Sequence, residues 1–171
     1  MASVNSLRLI CVALAASVVL CGAIELAGAE AGACHDLVGT YLTKNYAKGE
    51  SGGNFTSRSL IALSGSGLAS FTDSGGGGEA GFGPFTDGRG SWRCLEDNKA
   101  HAVTLDFTTP TAASPKAEIG RLDFDLAYDA AGKTIKGTAT LRLIPLVSDP
   151  LAPGEGSGRQ FEIVGQRIEA Q

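Results

Sequence analysis

The sequence predicts an all-β fold, a single antiparallel up-and-down barrel of about eight strands. Three observations predict it. Residues 118–147 hold two runs of strict alternation around an Asp-Ala-Ala-Gly break. Further short runs rich in Thr, Val, Leu, Ile and aromatics are punctuated by Gly, Ser and Pro. No apolar pattern of helical period and useful length appears after residue 33. A meander of this kind hides its edges best by closing on itself. A two-sheet sandwich is the runner-up architecture.

The alternating pair justifies itself residue by residue. In the first run Leu122, Phe124, Leu126 and Tyr128 share one face, and Arg121, Asp123 and Asp125 the other. In the second, Ile135, Ala139, Leu141 and Leu143 face one way, and Lys136, Thr138, Thr140 and Arg142 the other. Asp129 and Gly132 supply turn chemistry, so the pair reads as a hairpin. In chain order the remaining strands fall at Asp36 to Tyr46, Phe55 to Ser64, Leu68 to Asp73, Gly90 to Leu95, Ala100 to Thr108 and Arg159 to Ile168. Ser64-Gly65-Ser66-Gly67 and Glu96-Asp97-Asn98-Lys99 read as tight turns. Ser74 to Asp87 is a long glycine-rich stretch, read as a mobile loop at a barrel mouth with Phe82 and Phe85 as an apolar lid.

The 171 residues suit one domain, expected over 34–171. Residues 1–29 have the form of a cleaved signal peptide: Arg8, an uncharged apolar run over Leu9 to Leu20, then Ala27-Gly28-Ala29. Ala31-Gly32-Ala33 allows a cut as late as 33. The expected location is secreted or periplasmic, with no membrane attachment after cleavage. Fourteen basic side chains against 18 acidic ones give a net charge of -4 without a basic run, which excludes nucleic acid as an expected partner. Aromatics at 6% are too few for the two girdles of a membrane barrel.

Cleavage would remove Cys11 and Cys21 and leave Cys34 and Cys94 as a pair in an oxidising compartment. A disulfide between them is expected. It would close a loop of about 60 residues, nominally ~4 kcal/mol on chain-entropy grounds.

Gly39-Thr40-Tyr41 on the first strand and Arg167 on the last resemble, in architecture more than motif, the calycin superfamily and lipocalins in particular. Lipocalins carry Gly-x-Trp on the first strand, and a last-strand Arg packs across that Trp to close the base. Here Tyr41 stands in the Trp position. The resemblance implies a secreted barrel that holds a small apolar molecule, with Tyr41 and Arg167 as the closing pair. The chain also resembles the allene-oxide-cyclase type of barrel, without an anchoring motif.

Several stretches invite catalytic readings that their context rejects. Ala127 to Thr134 ends in Gly-Lys-Thr like a phosphate loop, but a strand follows where that motif needs a helix. Gly75 to Gly83 has neither a following helix nor a paired Lys. Asp123 and Asp125 are about 6.5 Å apart on one strand face, but that face opposes the apolar one and is expected in water. His35 is expected in an exposed terminal segment. No spacing suggests a metal or a cofactor. Trp92 shares a face with Cys94 and reads as a core anchor. Asn54-Phe55-Thr56 is a glycosylation sequon.

The expected function is binding of a small apolar ligand inside the barrel. The expected pocket wall is Leu42, Ile61, His101, Val103, Phe107, Phe124, Tyr128 and Leu141, with His101 and Tyr128 as its polar groups. A barrel cyclase or isomerase, using His101 to move a proton, and a filled structural barrel are the alternatives.

Overall fold

A computed structural model describes residues 34–48, 54–78, 83–96, 98–113, 115–152 and 158–170. The expected signal peptide, residues 1–29 with a cut as late as 33, and Phe82 lie outside them. The fold is a closed antiparallel barrel of eight strands in sequence order. They are β1 (Gly39–Ala47), β2 (Phe55–Leu63), β3 (Leu68–Asp73), β4 (Gly88–Glu96), β5 (Lys99–Phe107), β6 (Glu118–Asp129), β7 (Thr134–Pro145) and β8 (Arg159–Arg167). The ring closes where β1 pairs with β8, from Tyr41 opposite Arg167 to Ala47 opposite Phe161. Closure removes the exposed ladder edges that an open sheet would present.

The β6–β7 hairpin is the longest pairing, in one register from Glu118 opposite Pro145 to Asp129 opposite Thr134. Its turn differs from expectation in one respect. Asp129 accepts from the Ala131 N–H at 3.1 Å as anticipated. The left-handed residue, however, is Lys133 (φ 49°) rather than Gly132. The four-residue loop reverses at its last position, and the Gly132 carbonyl is left to accept from Gln166 Nε2 at 3.2 Å.

Strand direction assigns the loops to two ends. The turns after β2, β4 and β6, the N-terminal segment and the residues after β8 gather at one end. The connections after β1, β3, β5 and β7 gather at the other. The first end is plugged. Asp36 to Val38 do not extend β1 as the composition suggested: a single 3₁₀ turn covers His35–Leu37. Leu37 is fully buried and Cys34 is disulfide-bonded to Cys94. The bridge draws the chain across the barrel base, and an extended strand there could not deliver Leu37 into it. Trp92 packs against the core, and its Nε1 donates to the Ser64 carbonyl at 2.8 Å, pinning the β2–β3 turn.

Apart from register shifts at Asn45/Tyr46 and Cys94/Glu96, alternation runs through the barrel, so inward positions can be read around the ring. They are odd residues in β1 to β3, even ones in β4 to β6, and odd ones in β7 and β8. Outside, Asp123 is not a solvated carboxylate. Its side chain is 12% exposed and is gripped by Arg121 Nη2 at 2.7 Å and Arg142 Nη2 at 2.5 Å. Burial pushes its carboxyl up, but the hydrogen bonds and charges of Arg121 and Arg142 outweigh this and hold it below the usual range. Arg121 Nη1 also donates to the Pro150 carbonyl at 2.8 Å, tying the β7–β8 connection to the outer wall. Asp125 does face water, paired with His101.

Candidate ligand-binding cavity

The two ends of the barrel differ in how they are filled. At the closed end Tyr41 is fully buried. Its hydroxyl donates to the Leu37 carbonyl at 2.9 Å. Burial pushes the phenol up to about 12, with the Arg167 charge drawing it partly back. Arg167 donates to the carbonyls of Asp36, at 3.1 Å, and Val38, and to the Tyr128 hydroxyl at 3.4 Å. Tyr128 meets Tyr41 edge-on, ring centroids 6.2 Å apart. Gly39 has no side chain to obstruct the guanidinium, whose Nε lies where a Cβ would press against it.

The other half holds a cavity of about 1000 Å³. Its apolar wall includes Phe71, Leu122, Phe124, Ala139, Leu141, Phe161 and Ile163. Phe71 and Phe124 are in tilted contact, centroids 5.5 Å apart. Phe85 also lines it. The described ends of the glycine-rich stretch are bonded into the rim rather than forming a free lid. Ser74–Gly77 form a 3₁₀ turn capped by Asp73, and Phe85 N donates to Gly76 O at 2.9 Å.

A polar patch interrupts this wall. Asp73 Oδ2 accepts from Ser57 Oγ at 2.8 Å, Ser59 Oγ at 2.5 Å and Asn45 Nδ2 at 3.0 Å. Its Oδ1 accepts from the Gly75 N–H at 2.7 Å. Thr43 Oγ1 donates to Asn45 Oδ1 at 3.2 Å behind it. A buried network of this kind is stable because each member has a partner.

A second inward carboxyl, Asp106, also lines the cavity and is 3% exposed. Burial pushes it up to about 6, partly offset by the backbone N–H of Gly120. Gly120 is required there: a Cβ would overlap the Asp106 carboxyl. The folded value lies above the unfolded one. The native state therefore holds the extra proton between the ordinary value of 3.8 and about 6, and stability falls as pH rises through that window. Asp106→Asn is expected to stabilise the protein by about 2 kcal/mol above pH ~7 and to change nothing below pH ~4. Denaturation midpoints of both proteins across this range check it, and a pH-independent difference contradicts it.

Four of the expected pocket residues point inward. Phe124 and Leu141 line the cavity, Ile61 is buried in the core, and Tyr128 belongs to the closed end. The other four are corrected to the outer surface. Leu42 is 41% exposed and Phe107 54%. His101 pairs with Asp125 at 2.9 Å, and Val103 lies opposite the outward Asp123. In β5 the inward set is Ala100, Ala102, Thr104 and Asp106. Large side chains on neighbouring strands, Phe124 and Trp92 opposite Ala102, leave room only for small ones there. In β1 the inward set is Tyr41, Thr43 and Asn45, because the wall it belongs to is the polar one.

Sequence reasoning missed Asn45, Ser57, Ser59, Asp73 and Asp106. A signal existed: Thr43-x-Asn45 and Ser57-x-Ser59 repeat at period two, and Asp106 interrupts an apolar run. Among the described residues no group of three His, Cys, Asp or Glu side chains could hold a metal ion, and no helix is long and apolar enough to cross a membrane. No family model, curated protein or solved structure matches the chain.

Proposed function

We propose that this protein binds a small, largely apolar molecule in the open half of its barrel. The observation that carries the proposal is the cavity of about 1000 Å³ with a predominantly apolar wall above a plugged base. That volume is of the order that encloses a drug-sized ligand, and wells of this kind combine apolar area with a few placed polar groups. It speaks against a filled structural barrel. His101, the group named for proton transfer in the cyclase reading, lies on the outer surface. The Tyr41–Arg167 closure also supports the lipocalin-like reading of the architecture. Export through the segment at 1–29, with a cut as late as 33, belongs to the same proposal, and the disulfide suits an oxidising compartment.

Binding of the neutral fluorophore N-phenyl-1-naphthylamine tests the cavity. Leu141→Trp, which fills space beside Phe124 and Phe161, is expected to weaken it about tenfold while leaving the melting temperature within about 3 °C. Absence of probe binding, with no ligand co-purifying in native mass spectrometry, would sink the proposal.

A further inference from the structure

The two carboxyls of the cavity are not equivalent. Asp73 is saturated by four donors from the chain itself. Asp106 faces the same space with only the Gly120 N–H offsetting its burial. A carboxylate has room for about four hydrogen bonds, so most of its capacity is unfilled. It borders the cavity with 3% of its surface exposed. The inward position opposite it on β6 is Gly120, and on β4 Gly88 follows the Arg89–Leu105 pair, so the flanking strands carry glycine where a larger side chain would crowd it. Below it on β5, Thr104 is 1% exposed, and its hydroxyl has no hydrogen-bond partner among the described residues. This side of the cavity therefore presents one glycine-flanked carboxyl, Asp106, that the chain satisfies only in part.

The charges around this carboxyl decide the sign of what fits. The other ionisable groups lining the cavity are Asp73, Glu118, Lys48 and Arg159. Lys48 follows the end of β1 and Arg159 opens β8, so both cations sit at the rim. Arg89 and Arg121, on the strands flanking β5, point outward. Inside the rim the uncompensated group is a carboxyl. Beyond it the wall is apolar, through Leu122, Phe124, Ala139 and Ile163. We infer that the cavity selects amphipathic molecules with a protonated amine, the ammonium donating to Asp106 and the hydrocarbon body lying against the apolar wall. A charge-assisted hydrogen bond beside an apolar wall is stronger than a neutral one, and an ionised acid placed there would be repelled.

The inference rests on the proposed ligand-binding role, and its test separates the two. Decylamine, decanol and decanoic acid are each used to displace N-phenyl-1-naphthylamine from the wild-type protein and from Asp106→Asn at pH about 7.5. In the wild type the amine is expected to compete about tenfold better than the alcohol, and the acid worse than both. In Asp106→Asn the amine should lose that advantage, so that the ratio of amine to decanol competition, taken within each protein, falls from about ten to about one. Equal or better competition by the acid, or an amine preference that survives the substitution, overturns the inference and leaves the cavity reading intact. Loss of probe binding altogether in the wild type removes both. The head-group comparison on the wild type decides the matter even if the variant folds poorly.

Discussion

Replacing Cys34 and Cys94 together by alanine is expected to cost about 4 kcal/mol and lower the melting temperature by about 10 °C or more. The bridge joins residues 60 apart in sequence. Its removal does more than lengthen the loops of the unfolded chain. Cys34 leads directly into the turn that carries Leu37 into the barrel base, where Tyr41 and Arg167 bond to the carbonyls of Leu37, Asp36 and Val38. Without the bridge, that plug is held by those hydrogen bonds and by the burial of Leu37. Reduction of the wild type should reproduce the loss, and the double variant should be insensitive to reductant. Equal melting temperatures for the oxidised wild type and the variant would show that the plug holds without its covalent tie.

Asp73→Ala is expected to destabilise by about 3 kcal/mol, because it strips the shared acceptor from donors inside the wall. Ser57, Ser59, Asn45 and the Gly75 N–H all converge on that carboxylate. Ser59 is buried, so its hydroxyl would be left without an equivalent acceptor, while Asn45 Nδ2 would keep the Ser57 and Ser59 oxygens, at 2.9 Å and 2.5 Å. Asp73→Asn keeps one oxygen acceptor and should recover part of the loss. Urea unfolding at constant slope measures both. A change of less than about 0.5 kcal/mol for the alanine variant would mean that the hydroxyls find other acceptors at little cost. Because Asp73 also caps the 3₁₀ turn over Ser74–Gly77 and borders the cavity, the same variant should loosen binding of an apolar probe.

Much of the architecture is legible in the sequence. The alternation from Glu118 to Pro145 dictated the long hairpin, and its register is continuous as the pattern required. Eight runs with short connections implied a closed ring, and the pairing of β8 with β1 supplies the closure. The cysteine pair followed from residue type and number, and the pairing of Tyr41 with Arg167 is the one that the resemblance to lipocalins implied. The site was less legible. Hydrophobicity identifies the inner face only where one face is apolar and the other polar, as in β6. In β5 the bulky apolar residues Val103, Leu105 and Phe107 alternate with small or polar ones, and the bulky set lies outside. In β1 the same inversion puts Leu42 outside and Asn45 inside.

By itself, then, the sequence determined that this chain is β-structure, where it turns, which residues share a face, and which cysteines can meet. Those are properties of neighbours along the chain and of period two. Only the tertiary structure decided which face of β1 and β5 looks inward, that a polar wall saturates Asp73, and that glycines flank Asp106 where it borders the cavity. The reason is volume. A barrel interior is shared by all eight strands, so a side chain's place depends on what the strands beside and across from it have already filled. No local pattern in one strand carries that sum.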